Sequence, residues 1–179
     1  MPTSATRRAT RTEGAGRSRA AARDRKAAPR SAPRLSLSIQ VEPAAGELPA
    51  DRAQLRRWAR AALATDAALT LRFVGAREGR ALNAGFRGRD YATNVLTFAY
   101  DEAPAPGVPV QADIVICMPV VAREARAQRK AVRDHLAHLV VHGVLHAQGL
   151  DHEDDDEARE MEARETEVLA RFRIADPYR

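Results

Sequence analysis

Cysteine is almost absent: Cys117 stands alone among 179 residues, so an internal disulfide is excluded and a reducing cytoplasm is the easier fit. It closes an apolar run, Ile114-Val115-Ile116, where a buried small hydrophobe is the expected role. Nowhere do apolar residues run for the roughly 18 positions that a membrane-spanning helix needs, so no membrane partner is expected. Aromatic residues are scarce at 4%. Leu, Val, Ile and Ala are plentiful, however, and keep a packed core within reach of one domain.

Acidic residues are nearly missing from the start of the chain. Residues 1–34 hold ten Lys or Arg against Glu13 and Asp24, a net of +8, while the remainder, 19 basic and 22 acidic, is net −3. The basic character therefore belongs to an N-terminal extension. That extension lacks the apolar centre of a secretory signal, and shares its Arg and Ser richness, but no amphipathic stripe, with organelle transit peptides. Without a hydrophobic period, residues 1–33 are expected to be disordered. They read as a flexible RNA-attracting arm, an extension without function, or the product of a mis-chosen start codon. Local arginine clusters suit a polyelectrolyte such as RNA whatever the total charge.

Periodicity begins at Leu35. Leu35, Leu37, Ile39 and Val41 alternate with polar residues, the mark of a half-buried strand. Asp51 is placed to cap a helix over 52–64 with Leu55, Trp58, Ala59, Ala62 and Leu63 on one face. Strands are expected at 69–74, 95–98 and 112–117, with a helix at 77–85 and a proline-bearing loop over 101–110. A long helical segment runs from Pro119 to about Gln148, breaking near Lys130, and a last helix spans 155–172. Four short strands and about five helices indicate a single α+β domain over 34–179, with a small mixed sheet.

The chemistry concentrates in HLVVHGVLHAQGLDHEDD, from His138 to Asp155. His142 and His146 are four apart, which stacks two imidazoles on one helix face within reach of one metal ion. Gly149 can take the left-handed conformation that ends the helix and turns the chain back. His152 then returns as third ligand. Three neutral nitrogens leave the fourth tetrahedral position open, the arrangement of catalytic rather than structural zinc. One zinc ion is thus expected at the end of the long C-terminal-half helix. His135 and His138 extend the stripe as polar neighbours, His138 being a candidate to support the ligands from behind. Asp151 serves as a supporting group, a base or a cap. The spacing H-x3-H-x2-G-x2-H also occurs in metzincin proteases, but these carry Glu after the first His, where this chain has Gly143.

These residues, with others in order, resemble a known family. His142-Gly143-Val144-Leu145-His146-Ala147-Gln148-Gly149-Leu150-Asp151-His152 is similar to the HGxLHxxGxDH signature of YbeY proteins. Leu82-Asn83 with Arg87 resembles the family's LN-x3-R segment. Thr93 to Phe98 resembles TDVLSF with Asn94 and Thr97 substituted, and Ala112-Asp113-Ile114 resembles GDI. Glu160-Met161-Glu162 and Glu165 fit its acidic terminal helix. The likeness spans about Leu35 to Tyr178.

The resemblance implies a zinc-dependent endoribonuclease acting on single-stranded RNA in maturation of small-subunit (16S) ribosomal RNA, its 3′ end especially, and in ribosome quality control. It places the metal on His142, His146 and His152 and the functional arginine on Arg87, with Arg87 and His142 as catalytic residues. Asn94, where the family has Asp, implies a carboxylate lost from the cleft. Arg87 can fork onto two phosphate oxygens as lysine cannot. The rival readings are a non-catalytic, zinc-stabilised ribosome-assembly factor and a metzincin-like peptidase.

Overall fold

The structure, a computed structural model, describes residues 32–101, 105, 107–150 and 154–179. The expected disordered extension, as far as residue 31, and part of the 101–110 loop lie outside the described residues. The elements are β1 (Leu35–Val41), α1 (Arg52–Ala61), β2 (Ala67–Val74), α2 (Ala76–Arg87), β3 (Val95–Ala99), β4 (Val110–Cys117), α3 (Met118–Ala127), α4 (Val132–Ala147) and α5 (Asp155–Ala170). One 3-10 turn, Pro43–Ala45, follows β1 and was not foreseen.

Along β1 the alternation behaves as expected: Leu35, Leu37 and Ile39 are half-buried while Ser36, Ser38 and Gln40 face solvent. Val41 departs from it, 42% exposed at the end of an edge strand, where little lies beyond to cover it. Asp51 caps α1 as the sequence indicates. Its carboxylate accepts from the Gln54 amide at 2.7 Å, and the Gln54 side chain accepts in return from the Asp51 amide at 3.2 Å. The helix stops at Ala61, short of residue 64, and the side chain of Gln148 takes over beyond it. Gln148 accepts from the Ala64 amide at 2.7 Å and donates to the Ala62 carbonyl at 2.9 Å.

The sheet runs β1-β2-β4-β3, with β1, β2 and β4 parallel and β3 antiparallel to β4. Leu71 pairs with Ile114 and Thr97 with the same residue on the other side. Central β4 is buried on both faces, as parallel strands are when helices cover them. On one face Ala112, Ile114 and Ile116 meet α1, α4 and α5 in the main core. On the other, Val115 and Cys117 join Val74, Leu96 and Val120, with Leu82 and Phe98 packed against them. Cys117 is thus the small buried hydrophobe that its neighbours predict. Among the described residues the fold is α+β, a four-stranded mixed sheet with five α-helices.

The foreseen break in the long helical segment is real. Arg129 adopts a φ of 56°, and the Lys130 amide returns to the Ala125 carbonyl at 2.9 Å before α4 restarts at Val132. Helix α4 is enclosed on most sides, burying Leu136, Val140, Val141 and Val144 among others. Full burial of each such side chain stabilises by about 1.5–3 kcal/mol. The stripe left partly uncovered carries His138, His142 and His146, with His135 buried at its N-terminal end.

Candidate metal centre

His135, His138, His142 and His146 succeed one another at spacings of three and four along α4, so one face presents four imidazoles. The rings of His142 and His146 lie 4.6 Å apart between centroids and nearly perpendicular. Those of His138 and His142 are 6.1 Å apart. The stripe forms one wall of a cavity of about 1400 Å³, which Arg87, Asn94, Thr97, Phe98, Glu124 and Glu165 also line. Arg87 comes from the last turn of α2, Asn94 precedes β3, and Glu165 comes from α5. The fold thus brings Arg87 to the cavity of His142 and His146. His152 and Asp151 lie outside the described residues.

Both approaches to that segment are fixed. At the end of α4, Gly149 has a φ of 87°. Its amide donates to the His146 carbonyl at 2.9 Å, and the Leu150 amide donates to the Leu145 carbonyl at 3.2 Å. This is the left-handed glycine termination that the sequence indicates. Four residues after Leu150, the Asp154 carboxylate caps α5, accepting from the Asp156 and Glu157 amides at 2.9 Å each.

Beneath the histidines sits a carboxylate that sequence reasoning left in an undifferentiated acidic helix. Glu165 is fully buried. Its oxygens accept from His138 Nε2 at 2.6 Å and His142 Nδ1 at 2.7 Å, and the Tyr178 hydroxyl donates to it as well. Burial works against its ionisation, but the His138 and His142 hydrogen bonds prevail and hold its pKa down at about 2. Burial and the neighbouring carboxylate push the Tyr178 hydroxyl well above its ordinary value, so it stays a donor. With its Nδ1 proton committed to Glu165, a neutral His142 has its lone pair on Nε2.

His138, His142 and Glu165 place three possible ligand atoms within 4.8 Å of one another, and such a group can hold a metal ion. Here the same three residues are joined by hydrogen bonds through His138 Nε2 and His142 Nδ1. The second arrangement is that of a carboxylate orienting an imidazole whose other nitrogen serves the metal. Either way the residues fit a divalent cation: imidazole nitrogens one turn apart, with a buried negative charge behind them.

His138, expected as a polar neighbour of the ligands, bonds the same Glu165 that bonds His142. His135 is 4% exposed and bonds Glu124 at 2.9 Å through Nε2, while its Nδ1 has no hydrogen-bond partner among the described residues. Asn94 donates to the same Glu124 oxygen at 3.0 Å and accepts from the Val95 amide at 2.7 Å. An amide suits that place, because an ionised Asp would meet Glu124 with no proton between them. Gly143 faces away from the cavity. A Cβ built on it would lie 2.6 Å from Ile114 Cγ2 and 3.3 Å from Thr97 Oγ1. The position where a metzincin carries its general base is closed here by the sheet.

The sequence profile of the family described as Endoribonuclease YbeY matches residues 43–173. A curated relative of that name from Azoarcus sp. (strain BH72) is 57% identical over 152 residues, which cover 82% of this chain and 60% of the relative. One from Paraburkholderia phymatum is 55% identical over 152 residues, covering 82% of this chain and 97% of the relative. Another, from Bordetella pertussis, is 58% identical over 154 residues, 80% of this chain and 96% of its own length.

Proposed function

This chain belongs to the Endoribonuclease YbeY family, and from that premise we propose that it is a metal-dependent endoribonuclease cutting single-stranded RNA. The finer reading assigns it to maturation of small-subunit (16S) ribosomal RNA, at its 3′ end especially, and to ribosome quality control in the cytoplasm. The single observation that carries the catalytic reading is the meeting of Arg87 with His142 and His146 in one cavity, over a buried, ionised Glu165. No helix of the described residues is long and apolar enough to cross a membrane.

We assign the metal, zinc as the first choice, to His142, His146 and His152. When bound, zinc supplies Lewis acidity and an activated water at neutral pH. The chain's own groups do the rest. Glu165 takes the Nδ1 proton of His142 and so sets that ring's tautomer and aim. Arg87 offers parallel N–H donors to two non-bridging phosphate oxygens, stabilising negative charge that grows as the scissile phosphate becomes five-coordinate. Residues of β3, an edge strand of the sheet, line the cavity, and a flexible strand would enter along that edge.

The test joins metal content with cleavage of a labelled single-stranded RNA, with a chelator control. Wild type should carry about one zinc and cut. Arg87→Ala should keep the metal and lose about 10²- to 10³-fold in rate, the cost typical of removing one such donor. His146→Ala should lose both metal and cleavage. A protein that binds zinc tightly yet leaves RNA intact in single-turnover assays is the assembly factor instead.

A further inference from the structure

We propose that Phe86 and Phe98 form a stacking platform for an unpaired nucleobase of the RNA, beside the phosphate that Arg87 grips; this rests on the endoribonuclease reading. The chain has eight aromatic residues, four Phe, three Tyr and one Trp, and four of them fall within residues 86–100. Trp58 and Phe73 are spent on the core, whereas Phe86 remains 67% exposed. Its ring centroid lies 4.6 Å from that of Phe98 at an interplanar angle of 55°. Phe98 lines the cavity and is held from behind by the small cluster around Leu96 and Val115, so the pair rests on a fixed base.

The occupant follows from the surroundings. Arg87, the next residue after Phe86, lines the cavity together with Phe98, and Arg89 follows across Gly88 with its guanidinium on the Tyr91 hydroxyl at 3.1 Å. Aromatic faces interleaved with arginines match a chain that alternates flat bases with phosphates. A duplex keeps its bases stacked inside, while a single strand can turn one out onto a ring.

The experiment uses the zinc-loaded full chain and a single-stranded RNA, together with copies carrying one abasic ribose at successive positions around the cut. Phe86→Ala should raise KM about 10-fold, within the roughly 5- to 150-fold that one base on one ring is worth. The kcat should stay within about twofold, and Phe86→Trp should restore KM. One abasic position should weaken wild type to a similar degree and leave Phe86→Ala unaffected. A wild type that cuts while Phe86→Ala matches it in KM, or an abasic penalty that multiplies with the substitution, overturns the platform alone. A wild type that neither binds nor cuts RNA overturns both readings.

Discussion

At Glu165 a full negative charge sits on a helix face otherwise made of Met161, Val168 and Leu169. Such a charge persists only with donors around it, and His138, His142 and Tyr178 supply them. Glu165→Gln keeps the shape and removes the charge. Its zinc affinity, measured by chelator competition, should fall about 10- to 100-fold if the carboxylate acts through His142. A near-complete loss of binding would instead make Glu165 a direct ligand, and an unchanged affinity would remove it from the site. Arg87→Lys should cut RNA at least about tenfold more slowly than wild type, since an ammonium cannot fork onto two oxygens. The histidine spacing was legible because one helical turn brings those rings together. Glu165 was not, because it lies 23 residues beyond His142 on another helix. The signal was there: an acidic residue in register with Met161, Val168 and Leu169 interrupts an apolar stripe.

Among the elements, α4 answers to two neighbours, the cavity above and the sheet below. Gly143 is the residue through which the sheet sets its height, with Ile114 closing the space that a side chain would need. Gly143→Ala should destabilise by about 1–3 kcal/mol through overpacking, read as a lower denaturant midpoint, with no functional side chain altered. A midpoint equal to wild type would mean that Ile114 and Thr97 yield freely. Helix starts and stops were well marked locally: the Asp51 cap and the Gly149 turn stand where the sequence puts them. The early end of α1 was not foreseeable, since Gln148, more than 80 residues away, supplies the groups that finish it. Similarly, Asn94 read as a lost carboxylate until Glu124 from α3 appeared beside it.

For the whole molecule, His135 ties stability to pH. Burial pushes its imidazole below the ordinary value of 6.5, though Glu124 beside it works the other way. An unfolded chain therefore binds a proton that the folded chain refuses between its lowered value and 6.5. The stability of the fold is full above pH 6.5 and declines as pH falls below it, levelling off beneath the folded value. Compared with His135→Gln, wild type should lose more melting temperature between about pH 7.5 and 5.5, and parallel curves would show that the ring does not titrate in this way. The sheet order, by contrast, could not be read from the strands alone, because β4 inserts between β2 and β3.

The route by which Glu165 reaches His142 also bears on biosynthesis. Synthesis runs from the N-terminus, so the imidazoles leave the exit tunnel before the carboxylate that orients them, and Tyr178 follows later still. A nascent chain holding α4 alone has its histidines but no fixed tautomer for His142. The contact that orients His142 is therefore completed only after α5 has emerged and docked.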